Sequence, residues 1–456
     1  MRTEPNKKGK RRIWWVVAAT LTVFLFVSFV FDPFGSMGLK GELAKARAAG
    51  FPVEPEDIFL DSAPRDKDNA ALLFDQMVSI VESSRGLLYG EDLHVRAVIA
   101  GYDDFDIEEV NKYFEAIVEL LLLAELAAEL PEYRAYKDWS NPVIILIPEF
   151  AIAKQVSKAL AVRAMLSLED GEVDAALVDL RRMLQIANHM DQSGFWIGHL
   201  VAIAIRSIYT DAIEYTAALP EASGAFVDGA LSQLEYWPRR TDWSQTLRSE
   251  AYSGVWIPQN MEQLAGAGYG FFWAWRDGIP GDEGEWEDAS VRLQSTQSKA
   301  TQLTLKHWIE ILNTYDQDDD ELITWARGID DLLPSGTGFW HGAEALVRFF
   351  SIEMEWLATS EVRMRARREV LKSSLEALLA MRNSAQDPFE NIGLDPFTGA
   401  SLLYKKTKDG FVIYSVGEDS VDDGGQAVRT SGHSDIVFEY PKKRKPAPPD
   451  FYTNGF

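Results

Sequence analysis

The chain has 456 residues, 46% hydrophobic and 25% charged, with a formal net charge of −25. That length supports two or three domains with a sizeable core, and the composition excludes wholesale disorder. The acidic balance argues against nucleic acid as a partner, and the absence of cysteine excludes disulfides, thiolate metal sites and cysteine nucleophiles.

Residues 1–12 carry six Lys/Arg against one Glu and precede an unbroken run of 19 apolar or small uncharged residues at 13–31. As a helix this run extends roughly 28 Å, about one bilayer core. Trp14 and Trp15 sit at its basic end, where amphipathic rings favour the membrane interface. A cleaved signal peptide has a shorter apolar core and a small-x-small cleavage site. Phe31-Asp32-Pro33-Phe34-Gly35 offers no such site. The expectation is an uncleaved transmembrane helix. Residues 1–12 face the cytoplasm and the bulk of the chain lies outside.

Residues 32–68 read as a juxtamembrane linker with a short helix at 39–48. A helical body follows over 69–386. Helical text starts at Asn69-Ala70-Ala71, and residues 107–130 predict one helix closed by Pro131. The clearest unit spans 150–217. Two amphipathic helices meet at Asp170-Gly171, where glycine closes a helix at low cost, and a nearly all-apolar third helix covers about 195–217. The first two look like a single tetratricopeptide-type hairpin; without a 34-residue repeat the body predicts an irregular helical array.

Residues 254–288 break the helical pattern. Seven glycines fall among Trp256, Trp273, Trp275, Trp286 and further aromatics, which predicts a long loop. Packing, a glycan- or peptide-binding surface, or contact with the outer membrane leaflet would each use such rings. Helices resume at about 290–313, 319–327 and 341–383. Residues 387–440 predict a small β module: two short runs flank Lys408-Asp409-Gly410, and a loop rich in Asp and Gly follows. Residues 441–456 predict a disordered tail.

Chemical signatures are sparse. Gly266, Gly268 and Gly270 lack the final glycine and the preceding strand of a dinucleotide loop. His307 with Glu310, and His341 with Glu344, pair metal-ligand types on one helical face, in the reverse order to the Glu-x-x-His of di-iron bundles. His189 and His199 lie on apolar helices and predict core roles. Residues 316–321 imitate the start of an EF-hand loop but lack its glycine and closing glutamate.

The C-terminal text is more specific: Asp395-Pro396-Phe397-Thr398-Gly399, Tyr404, Tyr414-Ser415-Val416-Gly417-Glu418-Asp419, Gly424-Gly425 and Asp435-Ile436. It resembles the end of the major pseudopilin of type II secretion systems over about residues 387–440. That resemblance implies calcium binding at Asp419 and Asp435; Asp422 and Asp423 are added for their proximity. Asx hydrogen bonds within an Asp/Gly turn are the alternative. The chain departs from pseudopilins in lacking a prepilin cleavage site and in placing some 350 residues between anchor and sheet. As a whole it resembles uncharacterised bacterial membrane-anchored helical proteins, a likeness that implies an anchor in a bacterial inner membrane, a periplasmic body and no activity. Two functions stay open: an envelope-facing scaffold or binding protein with a protein or glycan partner, and an envelope enzyme with a carboxylate-based site in a helical cavity.

Overall fold

The computed structural model describes residues 35–59, 64–84, 93–220, 222–260, 286–315, 321–331, 354–383, 388–389, 392–426, 435–442, 446–448 and 451. The apolar run at 13–31 lies outside them; among the described residues no helix is long and apolar enough to cross a membrane.

The fold is mainly helical, with one small antiparallel sheet at its C-terminal end. Helix α1 is Gly35–Ala48, longer than the sequence predicts. Helix α2, Ala71–Ser83, begins where expected because Asn69, fully buried, caps it. The Asn69 side-chain oxygen accepts from Ala71 N at 3.1 Å and Arg134 N at 2.9 Å, and its amide donates to Arg134 O, tying the helix start to a distant loop. Helix α3 is Leu93–Ile99.

The single helix predicted over 107–130 is two helices, α4 (Ile107–Ala116) and α5 (Val118–Ala128). Ile117 leaves helical geometry at φ −111°, ψ 14°. This break lets Val110 and Tyr113 before it, and Leu120, Leu121 and Ala124 after it, all enter the core.

Helices α6 (Pro148–Glu169), α7 (Val173–Asp191) and α8 (Trp196–Ala217) pack on one another as the periodicity predicts. Gly171 closes α6 at φ +80°, and the two backbone bonds of a Schellman cap form, Glu172 N to Ser167 O at 2.7 Å and Gly171 N to Leu168 O at 3.1 Å. Arg163 on α6 bonds Asp179 on α7 and Glu125 on α5, with Arg182 on the same carboxylates, so one ion network clamps three helices.

After α9 (Gly224–Gln233), helix α10 runs over Ser244–Gln259. This corrects the loop predicted from 254. Gly254 is helical because an adjoining helix needs the space: a Cβ there would sit 2.3 Å from the indole nitrogen of Trp308. Trp308 belongs to α11, Trp286–Thr314, which packs along α10 and likewise begins inside the predicted loop. Helices α12 (Leu322–Asp331) and α13 (Met354–Arg382) complete the body.

Strands β1 (Leu403–Lys406), β2 (Phe411–Ser415) and β3 (Ile436–Tyr440) form an antiparallel sheet in that order, with Leu403 opposite Tyr414 and Ser415 opposite Ile436. The predicted hairpin thus gains a third strand. Phe411, Ile413 and Phe438 join the same apolar cluster as Leu371 on α13, Leu184 on α7 and Ile213 on α8. A second cluster gathers Trp196, Trp243, Leu247, Trp308 and Leu357. Where the predicted disordered tail is described, it lies against the body: Lys442 N donates to Ala218 O, its ammonium sits 4.0 Å from the centre of the Tyr215 ring, and Phe451 meets Tyr102 edge-on.

Candidate functional site

Two helices distant in sequence bring matching faces together. On α10, Tyr252, Val255, Trp256 and Gln259 fall at i, i+3, i+4 and i+7; on α1, Lys40, Leu43, Ala44 and Arg47 do the same. With Val53, Glu54, Pro55, Ser140 and Asn260 they line an open groove of about 540 Å³. Its apolar wall and polar rim are the composition of a site that holds an amphipathic ligand.

The groove is rigidly supported. Arg248 donates to the carbonyls of Gly50, Asp57 and Ile58, pinning the segment that follows α1 onto α10. Asp57 accepts from Arg47 and from the backbone N–H groups of Val53 and Glu54. Burial pushes the Asp57 pKa up, but those donors outweigh it and hold the carboxyl below its ordinary value. Tyr252 donates its hydroxyl to Trp139 O at 2.9 Å, and Trp139 stacks on Phe195 with centroids 4.9 Å apart. Burial, aided by Glu54, Glu56 and Asp138, pushes the Tyr252 pKa up to about 12, so this hydroxyl keeps its proton.

Of the four tryptophans proposed as a binding loop, Trp256 lines this groove from a helix rather than a loop. Trp273 and Trp275 lie outside the described residues, and Trp286 opens α11 with its side chain undescribed.

The four aspartates proposed for calcium are not brought together as one ligand set. Among the described residues, no three His, Asp or Glu side chains converge to hold a metal ion. The carboxylates of Asp419, Asp422 and Asp435 instead meet local donors. Asp419 accepts from Val421 N, and Asp422 from Gly424 N and the Tyr414 hydroxyl. Asp435 accepts from Gly425 N at 2.8 Å and Asp423 N at 3.4 Å. Burial raises the Asp435 pKa against those N–H groups. The Asp419 and Asp422 contacts are Asx turns, the alternative that the sequence left open.

Asp395, from the most specific stretch of sequence, is 3% exposed and organises the fold. Its carboxylate accepts from Phe397 N at 2.9 Å, the Ser415 hydroxyl at 3.0 Å and Val416 N at 3.1 Å. It joins the Asp-Pro-Phe-Thr-Gly turn to the end of β2.

A buried polar junction, not foreseen as a cluster, lies where α7, α8 and α10 meet. His199 Nδ1 stands 2.9 Å from Asp191, His199 Nε2 is 3.0 Å from the Thr246 hydroxyl, and Arg206 bonds both Asp191 and Asn188. The Asp191 carboxylate accepts, so Nδ1 is the nitrogen placed to donate, and Nε2 faces the Thr246 hydroxyl. Nearby, Glu250 accepts from Trp196 N at the start of α8. Burial pushes its pKa up to about 7 against that N–H and His199. Carboxylate, imidazole and hydroxyl follow the connectivity of a nucleophilic triad. Yet Thr246 and His199 are only 1% and 3% exposed, and neither lines the groove. The contacts bind three helices together.

His189 is fully buried, as predicted, its Nε2 2.8 Å from Leu130 O; burial lowers its pKa to about 4. Burial does the same to His307, which has Glu310 one turn away but no metal-ligand cluster around it among the described residues. His341, Glu344 and residues 316–320 lie outside the described residues. No protein-family model matches this chain, and no curated protein or solved structure matches it either.

Proposed function

We propose that the protein is a single-pass, envelope-facing helical scaffold that binds a peptide or glycan partner in the groove between α1 and α10. The tetratricopeptide-type pair α6–α7 is the centre of its irregular helical array, and the pseudopilin-like end is a stabilising element. The observation that carries this reading is Trp256, a half-buried aromatic that packs against Ile58, Trp139 and Tyr252 and lines the supported groove. Position supports it too. Helix α1 starts four residues after the apolar run ends, a distance that extended chain spans in about 14 Å. A ligand in the groove would therefore lie near the membrane surface.

The test is binding of the full chain to chitotetraose and to a peptide array, compared with Trp256→Ala. Loss of the ring should weaken retention about tenfold, as for an aromatic anchor at a binding site, while circular dichroism at the assay temperature shows the helical fold retained. Equal retention by the variant would refute the groove as the site.

A further inference from the structure

Helix α5 buries Leu120, Leu121, Ala124 and Ala127 and leaves a second apolar face uncovered by the described residues. Val118, Leu122 and Leu126, at i, i+4 and i+8, are 51%, 56% and 57% exposed. They form a stripe about 12 Å long on one side of the helix. Val178 on α7, 46% exposed, stands one turn before Arg182, whose guanidinium reaches Glu125. Scattered exposed apolar side chains need no explanation, but three in register on one short helix form a patch of the kind that marks an interaction surface.

Charge decides what fits there. Glu119 and Glu129 are exposed beside the stripe, and neither is ion-paired among the described residues; Glu115 is exposed just before it. Glu125, on the other flank, is already neutralised by Arg163 and Arg182. A second copy of this chain would set these glutamates against their own counterparts, at a cost in repulsion. An anionic lipid surface would be repelled by the same charges, on a protein that is already at −25. A glycan has no use for three aliphatic side chains. An amphipathic helix with an apolar stripe bordered by Lys or Arg satisfies both features, with leucines buried in the seam and charge pairs at its edge.

We infer that the outer face of α5 is the docking surface for a basic amphipathic helix of a partner protein, separate from the groove. The probe is a labelled Leu/Lys amphipathic helical peptide, titrated by fluorescence anisotropy against the full chain in neutral-lipid nanodiscs. Its Leu/Glu counterpart is the charge control. The wild type should bind the basic peptide and not the acidic one. Leu122→Ser with Leu126→Ser should weaken binding at least tenfold, and Glu119→Lys with Glu129→Lys should do the same. Leu146→Ser, at an exposed leucine elsewhere, should leave it unchanged. Retained affinity in the double-serine variant, or equal binding of the acidic peptide, would overturn the proposal. So would sedimentation showing a wild-type dimer that the double-serine variant loses, since the occupant would then be a second copy.

Discussion

Replacing Asp395 with Ala should lower the unfolding free energy by about 3–5 kcal/mol. The carboxylate satisfies the Phe397 and Val416 N–H groups and the Ser415 hydroxyl, and it is 3% exposed. Each buried donor left unpaired costs about 1–3 kcal/mol, and bonds to a charged acceptor lie at the upper end. The damage should spread beyond the turn, because Phe411 and Phe438 of the sheet share the main core with α7, α8 and α13. Asp395→Asn keeps one acceptor oxygen and should lose less. Denaturant titration of the full chain measures both; a loss under about 1 kcal/mol for Asp395→Ala would contradict the assignment.

Asp191→Ala should be comparably severe, for an electrostatic reason. Arg206 is 1% exposed, and Asp191 is its only charged partner among the described residues. Removing one member of a buried pair leaves an uncompensated charge, at about 3–5 kcal/mol. Replacing both Asp191 and Arg206 with Leu should cost less than Asp191→Ala alone, because no charge is then stranded. The pH dependence carries a second signature. Burial raises the Asp191 pKa, but Arg206 and His199 outweigh it and the net shift is downward. A carboxyl with a depressed folded pKa contributes stability above its unfolded value of about 3.9 and loses it as pH falls through the folded value. Asp191→Asn should therefore flatten the acid limb of the stability profile below about pH 4. An unchanged limb would mean that the pair does not hold α7 to α8.

Helix existence was legible wherever apolar residues recurred with helical period, as in α6, α7 and α8, and Gly171 marked their turn. Breaks imposed by distant partners were not legible. Nothing local separates Ile117 from its helical neighbours; the core on both sides bends the chain there. Gly254 read as a loop residue because glycine weakens helices, whereas here it admits Trp308, which lies 54 residues later in the chain. The groove was half legible. Trp256 was singled out and a helix near Lys40 was expected, but no periodicity shows that two such faces, some 200 residues apart, will meet. Asp395 shows the opposite limit. Its surroundings were the most specific text in the chain, and part of that spacing serves a hydrogen-bonded turn. For Asp419 and Asp422 the Asx turns depended on where backbone N–H groups pointed, which sequence does not encode locally.

The central claim, an envelope-facing protein with an open groove, can be tested at one residue. The native chain has no cysteine, so Gln259→Cys, on the groove wall, places the sole thiol at the site. A membrane-impermeant maleimide is added to cells whose outer layer is permeabilised and whose cytoplasmic membrane is intact. The account predicts labelling without lysis, slowed when a groove ligand is present. Labelling only after the cytoplasmic membrane is broken would place the groove on the wrong side and contradict the account.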